Sequence, residues 1–153
     1  MVEIITVRLA KLSDAKSLFD WRNDPHARAA SEQTEPLIWE DHIRWLTHTL
    51  QSGTQHVFIG ENDGLPIGGV RFNVEHDHAL VSLALAPAAQ GKGFGKFLLA
   101  LGIAQIGSIA IRARIRSDNF ASHTCFASCG FVETSQDEGF LCYDFKRLTF
   151  EGI

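Results

Sequence analysis

The feature that most constrains the fold is a stretch in which an apolar segment gives way to three glycines and then to a helical pattern. The segment from Leu80 to Leu85 is short and apolar, as expected of a buried strand, and Pro87 ends it because proline cannot donate to a central ladder. Apolar side chains then recur at helical spacing and predict a buried helix. They are Phe94, Phe97, Leu98, Leu101 and Ala104.

The turn between this strand and this helix has the chemistry of an anion site. Gly91, Gly93 and Gly95 leave main-chain N–H groups unobstructed, and the positive end of the helix dipole points the same way. Lys92 and Lys96 add positive charge there. A glycine triplet is also compatible with a flexible turn, so the residues around it decide between the two interpretations.

Two motifs in the C-terminal half together resemble the GNAT superfamily of N-acetyltransferases. Gln90-x-x-Gly93-x-Gly95, after an apolar strand, is similar to the acetyl-CoA pyrophosphate loop of that family. The second motif resembles the helix and strand that hold the other side of CoA; it is Asn119-x-x-Ser122-x-x-x-Phe126-x-x-x-Gly130-Phe131. The resemblance implies an α/β fold with a mixed, mostly antiparallel twisted sheet, helices on both faces and a split beside the central strand. It also implies one domain over residues 1–153.

The same resemblance implies acetyl-CoA as a co-substrate and assigns residues to it. Main-chain groups that would pair with the pantetheine arm belong to Leu83, Ala84 and Leu85. The pyrophosphate would be held by the glycine turn, which comprises Gln90, Gly91, Lys92, Gly93, Phe94, Gly95 and Lys96. The arm would be contacted from the other side by Asn119, Ser122 and Phe126.

At Phe126 the chain departs from the family pattern. Many members carry Tyr there, whose hydroxyl can protonate the leaving thiolate, and Phe has no proton to give. General-acid assistance is worth about 10²–10⁴-fold in rate, although a thiolate is a tolerable leaving group in water. We therefore expect slow or water-assisted protonation. Tyr143, the only tyrosine, is a candidate substitute, but a core or sheet-surface position suits it better.

The N-terminal half resembles the amino-sugar N-acetyltransferases of bacterial surface-glycan pathways, notably the branch that makes pseudaminic acid. The matching segments are Trp21-Arg22-Asn23-Asp24-Pro25, Arg28, Ser31, Pro36-Leu37-Ile38 and His42-x-x-Trp45. This likeness implies an amine on a nucleotide-linked sugar. The implied substrate-binding residues are Trp21, Arg22, Asn23, Arg28, Ser31, His42 and Trp45. An arginine can pair with phosphate, and an indole can pack on the face of a sugar. The structural alternatives are that Trp21 and Trp45 are core residues, which is the commoner role, and that Arg22 only stabilises the C-terminus of its helix.

The first candidate for a general base is His42, whose unperturbed pKa suits proton uptake near neutrality. It falls on the apolar side of a helix predicted from Ile38 to about Gln51, where a hydrogen-bonded core histidine is the commoner role. Glu75 and Glu40 are weaker candidates, and a water relay without a dedicated base stays open.

Composition limits the classes of function. The chain is 45% hydrophobic and 21% charged, as in ordinary globular proteins, and its net charge of -4 argues against a general nucleic-acid or acidic-membrane binder. No apolar run is long enough to span a membrane, and the N-terminus lacks the pattern of an export signal. We expect a cytoplasmic protein, either a monomer or a homodimer.

The three cysteines, Cys125, Cys129 and Cys142, have no metal-ligand spacing and are expected to be reduced core thiols. His76-Asp77-His78 lies at a predicted turn without a third evident ligand. We therefore expect no metal.

The two resemblances together imply direct transfer of acetyl to a primary amine, with that of a nucleotide-linked amino sugar as the first expectation. Two other functions stay open. One is acetylation of a protein N-terminus, as in the ribosomal-protein branch of the family, or of another small amine. The other is a non-catalytic acyl-CoA-binding module, which Phe126 permits.

Overall fold

Seven strands form one sheet in the computed structural model, which describes residues 3–147. The strands are β1 (Ile5–Leu9), β2 (Gln55–Asn62), β3 (Leu65–Glu75), β4 (His78–Leu85), β5 (Ala110–Arg116), β6 (Phe131–Asp137) and β7 (Phe140–Phe145). The helices are α1 (Ala15–Asn23), α2 (Pro25–Ala29), α3 (Trp39–Gln51), α4 (Phe94–Ile106) and α5 (Phe120–Ser128), with short 3-10 turns at Leu12–Asp14 and Pro87–Ala89. The predicted domain includes residues 1, 2 and 148–153, which lie outside the described residues, so its bounds stay a prediction.

The spatial order of the strands is β1-β2-β3-β4-β5-β7-β6. Neighbouring strands are antiparallel except β4 and β5, which run parallel. Antiparallel neighbours can be joined by tight turns, whereas the parallel pair needs a crossover, and α4 supplies it. The predicted mixed, mostly antiparallel sheet is therefore confirmed.

Helices cover both faces of the sheet because successive strand residues point to opposite sides. In β2, Phe58 joins the larger core, whereas its neighbours Val57 and Ile59 join a second core. The larger core contains side chains of α4 and α5, among them Leu98, Leu99 and Phe126. The second contains side chains of α1 and α3, among them Leu18, Trp21 and Leu46.

Two hairpins turn on a residue followed by glycine. The β2–β3 turn has φ of 50° at Asp63 and 84° at Gly64, and the β6–β7 turn has 42° at Glu138 and 86° at Gly139. Positive φ at both central residues matches the right-handed twist of the flanking strands. The Asp63-Gly64 turn joins β2 and β3, which pair antiparallel on either side of it.

The buried face of α4 matches the predicted one only in part. Phe94 and Leu98 are buried as predicted, but Phe97 is 49% exposed, and the other buried positions are Gly95, Leu99, Gly102 and Ile103. A Cβ atom at Gly95 would lie 3.2 Å from the sulfur of Cys125. The lack of a side chain at Gly95 thus lets α5 and the sheet approach this side of the helix. A hydropathy pattern does not predict such a contact, because glycine contributes no apolar side chain to the pattern.

The segment directly after α1 forms the short helix α2. Asp24 ends α1, and its side chain accepts a hydrogen bond from the Ala27 N–H at 3.1 Å. Pro25 stands at the first helical position, where a missing N–H costs nothing. Five helical residues are too few to show periodicity in the sequence.

Candidate active site

The sheet opens between β4 and β5. Their ladder has its last pair at Leu80 and Arg112. Beyond it, β4 continues to Leu85 paired only with β3, and β5 continues to Arg116 paired only with β7. Main-chain groups in the second half of β4 therefore face a gap. This half contains the partly buried residues predicted to pair with pantetheine, Leu83, Ala84 and Leu85.

The glycine turn lies where β4 ends and α4 begins. Gly91 and Gly93 have φ of 73° and 80°, the left-handed region that glycine adopts without strain. Gly93 is the N-cap of α4 and offers no side chain to the helix start. Within residues 3–147, the N–H groups of Gly91, Lys92 and Gly93 make no backbone hydrogen bond, and those of the first helical turn lack intrahelical acceptors. The turn thus presents consecutive donors at the positive end of the helix dipole.

The polar side chains of this turn differ in their contacts. Gln90 turns back toward the strand, and its Nε2 donates to the Leu85 carbonyl at 3.5 Å. Lys92 and Lys96 are exposed, and neither forms an ion pair with any residue that the structure describes. Gln90 therefore ties the turn to the end of β4, whereas both lysine charges point to solvent near the free N–H groups.

The start of α5 lies on the other side of the gap. Asn119 caps the helix as predicted: its Oδ1 accepts from the Ser122 N–H at 3.3 Å. Its Nδ2 donates to the Ala30 carbonyl at 3.4 Å, which joins α5 to the segment after α2. Phe126 is only 4% exposed and packs edge-on against Phe131, with ring centres 5.0 Å apart. The structure thus places Asn119 and Ser122 at the helix start and Phe126 in the core.

On the face covered by α1 and α3, two arginines flank one indole ring. The guanidinium carbon of Arg22 lies 4.5 Å from the centre of the Trp45 ring, and that of Arg71 lies 5.6 Å from it. Burial lowers the pKa of Arg22 to about 10, and the charge of Arg71 acts in the same direction. Trp21 is buried in the core between α1 and α3, with 7% of its surface exposed, and its assignment as a substrate contact stays a prediction.

Three predicted substrate residues instead shape the segment from 30 to 37. The Oδ1 of Asn23 accepts from the Leu37 N–H at 2.7 Å. The guanidinium of Arg28 donates to the carbonyls of Asn23 and Thr34. The Ser31 hydroxyl donates to the Gln33 carbonyl at 2.7 Å. Each of these three side chains therefore makes at least one hydrogen bond within the chain.

This segment contacts β5 and the start of α5, beyond the gap. Glu32 forms an ion pair with Arg114 of β5, and Ala30 accepts the hydrogen bond from Asn119. The predicted acceptor segment is therefore attached to β5 and to the start of α5. An acceptor that enters beside it would meet the free half of β4.

His42 is a buried residue at the contact of α1 and α3. Its Nε2 lies 2.8 Å from the Ala15 carbonyl, and since a carbonyl only accepts, Nε2 carries the proton and Nδ1 the lone pair. Nδ1 is buried without a hydrogen-bond partner among the described residues. Burial lowers the pKa of His42 and the charge of Arg22 lowers it further, although the hydrogen bond to Ala15 opposes them. The ring is therefore neutral near pH 7 but only 4% exposed.

The two glutamates predicted as weaker bases lie away from the gap. Glu75 ends β3, pairs with His78 at the closed end of β4, and lies 3.7 Å from its ring nitrogen. Five residues of extended strand, roughly 16 Å, separate His78 from Leu83. Glu40 is exposed in the first turn of α3. The distance along β4 argues against Glu75 as the base.

The hydroxyl of Tyr143 is bonded within the protein. It lies 2.7 Å from Nδ1 of His123, whose Nε2 lies 3.2 Å from the Ser117 carbonyl. Nε2 therefore donates to that carbonyl, and Tyr143 donates its proton to Nδ1. Burial raises the pKa of Tyr143. The structure joins the predicted proton donor to a histidine that sequence patterns did not single out.

The cysteines are free and partly buried. Burial raises the pKa of Cys125 to about 11 and also raises that of Cys129, so neither is an activated thiolate near neutrality. Across residues 3–147, no group of three or more His, Cys, Asp and Glu side chains is arranged to hold a metal ion. No helix in this part of the chain is long and apolar enough to cross a membrane.

A sheet that splits beside its central strand, with an uncapped helix start at the end of that strand, leaves main-chain donors free where a negatively charged group is favoured. The model of the acetyltransferase (GNAT) family matches residues 15–131. YwnH of Bacillus subtilis (strain 168), provisionally named a phosphinothricin acetyltransferase, is 31% identical, over 94% of this chain and 93% of that protein. The chain therefore belongs to the GNAT family of acetyltransferases.

Solved structures share the fold over nearly the whole chain. YncA of Salmonella typhimurium, solved with its cofactor acetyl-CoA, has a TM-score of 0.75 and 23% identity, covering 97% of this chain and 96% of that one. The spermidine N-acetyltransferase of Vibrio cholerae, in complex with CoA and spermine, has a TM-score of 0.77 and 18% identity, covering 92% of each chain. These likenesses confirm the predicted fold.

No sequence motif pointed to Arg71, Arg114 or His123. Arg71 was detectable, because it is a lone charge within the apolar and glycine run of β3. Arg114 and His123 acquire their partners only through contacts between segments far apart in the chain, so no local pattern marks them.

Proposed function

We propose that this acetyltransferase moves an acetyl group directly from acetyl-CoA to a primary amine, and that the amine belongs to a nucleotide-linked amino sugar. The observation that carries the first part is the gap between β4 and β5, which ends at a turn of free N–H groups. A cytoplasmic location suits the three free cysteines, since reducing compartments keep thiols unpaired.

In this proposal the chain holds acetyl-CoA with main-chain groups on both sides of the gap. Leu83 to Leu85 would pair with the pantetheine arm as an added strand, and the N–H groups from Gly91 to Lys96 would bind the pyrophosphate. Asn119 and Ser122 stand at the α5 side. Acetyl-CoA supplies the activated acyl group as a thioester, so the protein contributes position and donors rather than a covalent intermediate.

Transfer then requires one proton to leave the amine and one to reach the thiolate. The neutral His42 has its lone pair on Nδ1, but that atom is buried, so a water would have to connect it to the amine. At the leaving group, Phe126 offers no proton, and the Tyr143 hydroxyl is engaged with His123. We therefore propose that water protonates the thiolate.

Arg22, Arg71 and Trp45 support an acceptor that carries both charge and a ring. Two uncompensated cations suit phosphate, and the indole suits the face of a sugar. The name of YwnH favours a small free amine, phosphinothricin, as a second candidate acceptor.

The experiment is a direct comparison of acceptors with purified enzyme and acetyl-CoA, monitored by release of CoA thiol. The acceptors are a UDP-linked amino sugar, phosphinothricin, spermidine and a short peptide with a free N-terminus. We expect the highest kcat/KM for the nucleotide sugar. A higher value for any other amine would overturn the sugar assignment, and CoA binding without thiol release on any amine would favour a non-catalytic module.

A further inference from the structure

Arg22 and Arg71 differ from every other arginine of the chain in their lack of a polar partner. The other arginines in residues 3–147 each reach a carboxylate or a main-chain carbonyl; they are Arg8, Arg28, Arg44, Arg112, Arg114, Arg116 and Arg147. Arg22 and Arg71 form neither contact with any described residue and are both partly buried. Their contact in common is the Trp45 ring.

Two cations placed this way destabilise the fold unless something offsets them. Removing a guanidinium from water costs free energy, and burial lowers the pKa of both groups. The attraction between a cation and an indole ring recovers only part of this cost and does not replace a carboxylate partner. Two partly buried guanidinium groups without a carboxylate, held beside one ring, are the arrangement that a binding site for an external anion requires.

The position of the pair connects it to the gap. Arg71 lies opposite Ser82 in the β3–β4 register, and cross-strand neighbours project to the same face with Cβ atoms about 5 Å apart. Ser82 belongs to the half of β4 that β5 leaves free. The His42 ring also lies beside Trp45, 5.6 Å away from centre to centre, and its Nδ1 is buried without a partner among the described residues. The cluster therefore borders the strand against which the thioester would lie.

We propose that Arg22 and Arg71, held on the Trp45 ring, bind a phosphate or diphosphate group of the acceptor. This inference rests on the proposed function and names the part of the acceptor that is recognised. Each guanidinium is a planar fork that binds two oxygens, and two forks match a group with two negative charges. A single carboxylate would leave one cation unmatched. Bound diphosphate would hold the amine end of the acceptor toward β4.

Calorimetric titration of inorganic pyrophosphate into CoA-saturated protein tests the inference. Saturation with CoA occupies the glycine turn, so added pyrophosphate reports on a second site. We expect wild-type protein to bind, and Arg22→Gln and Arg71→Gln to weaken binding by about ten- to a hundredfold, as for loss of a charge-assisted contact. Arg44→Gln, which removes an exposed arginine paired with Asp41 on the same helix as Trp45, should stay within twofold of wild type.

Controls separate a lost contact from a lost fold. Arg71→Lys keeps the charge without the fork, so its affinity should lie between wild type and Arg71→Gln, with unchanged CoA affinity and thermal midpoint. Equal pyrophosphate affinity in wild type and both glutamine variants, or no binding at millimolar pyrophosphate, would overturn the inference. Tighter binding of succinate than of pyrophosphate would also overturn it, by assigning the pair to carboxylates.

The pyrophosphate titration and the acetylation assay separate a failure of the arginine site from a failure of the proposed acceptor. If pyrophosphate binds through both arginines but the nucleotide sugar is not acetylated, the site stands and the sugar assignment fails. If the nucleotide sugar is acetylated with the same KM by wild type and both glutamine variants, the function stands and the arginine site fails.

Discussion

His42 shows how the environment of one residue sets its protonation state. Helix α3 carries it into the contact with α1, where the Ala15 carbonyl binds one ring nitrogen and aromatic rings of Phe19, Trp39 and Trp45 surround it. The facing charge is Arg22, which disfavours a second positive charge. Neutral His42 is therefore part of the packing of α1 on α3, whatever its part in proton transfer.

The lowered pKa predicts how stability changes with pH. Below the unfolded pKa of about 6.5, the unfolded chain binds a proton at His42, whereas the folded chain keeps this ring neutral. Protonation therefore favours the unfolded chain, and the free energy of unfolding falls as the pH falls below about 6.5. In wild type this contribution should decline by at most about 1.4 kcal/mol per pH unit between about pH 6.5 and the lowered folded value. The free energy of unfolding at several pH values should therefore depend less steeply on pH in His42→Gln. His48→Gln, on the exposed side of the same helix, should retain the wild-type slope, and a wild-type slope in His42→Gln would contradict the prediction.

Steady-state kinetics together with an unfolding measurement tests the catalytic role of His42. His42→Ala should lower kcat/KM and alter its pH dependence if Nδ1 accepts the amine proton. An unchanged kcat/KM with a reduced free energy of unfolding would assign His42 to packing alone.

A tyrosine at Phe126 tests whether that ring faces the gap. Phe126 is buried against Phe131, so the added hydroxyl should lack a partner and reduce stability by about 1–3 kcal/mol, with unchanged turnover. Phe97→Tyr, at an exposed position of α4, should cost little. Denaturant unfolding and kcat measure both effects. A rise in kcat would show that the hydroxyl reaches the thiolate and that its absence limits the natural enzyme.

At the scale of elements, the end of β4 and the start of α4 act as one unit. Pro87 ends the ladder, Gln90 ties the turn to Leu85, and two glycines in left-handed conformations lead into an N-terminus without a side-chain cap. A capping side chain would stabilise the helix by about 1 kcal/mol but would occupy the donors that an anion needs. The turn therefore keeps its N–H groups for a ligand at some cost in helix stability.

Gly93→Ala should weaken CoA binding because alanine resists φ of 80° and would shift the N–H groups around it. We expect a CoA affinity at least about tenfold lower, along with a stability loss of about 1–3 kcal/mol. Gly107→Ala is a matched control: it also has positive φ, at 88°, but lies at the other end of the same helix. It should lose stability while its CoA affinity, measured by calorimetry, stays within about twofold of wild type. Equal CoA affinities in both variants would contradict the assignment of the turn.

At the scale of the whole molecule, the sheet has two parts that meet along a short parallel ladder. One part contains β1 to β4, the other β5 to β7, and beyond Leu80 and Arg112 they separate. The larger core continues through both parts, and the segment from 30 to 37 bridges them through Glu32 and Asn119. A ligand in the gap would add contacts between the two parts, so binding and stability should be linked.

CoA should raise the thermal midpoint in proportion to the logarithm of its concentration. At a concentration about 100 times Kd, linkage gives about 2.7 kcal/mol, or roughly 5–10 °C for a domain of this size. Pantetheine, which lacks the pyrophosphate, should have a much smaller effect at the same concentration. A thermal melt measures both, and equal shifts for CoA and pantetheine would show that the glycine turn does not bind the pyrophosphate.

Local patterns in the sequence determined much of the architecture. The apolar run before Pro87 and the helical spacing after the glycines act over a few residues, so the sequence alone predicted the strand and the helix that they form. Family motifs supplied the split sheet. The strand predicted from Leu80 to Leu85 begins two residues earlier, at His78, because strand ends depend on pairing with segments elsewhere in the chain.

Only the tertiary structure decided which polar groups are free. Asn23, Arg28 and Ser31 matched a substrate motif, but folding gives their polar groups partners within the chain. Folding also brings Arg71 of β3 beside Arg22 of α1 and leaves both without a carboxylate. A sequence states which groups can donate or accept, but whether a group has found a partner depends on contacts between distant segments, and the free groups are those that remain for a ligand.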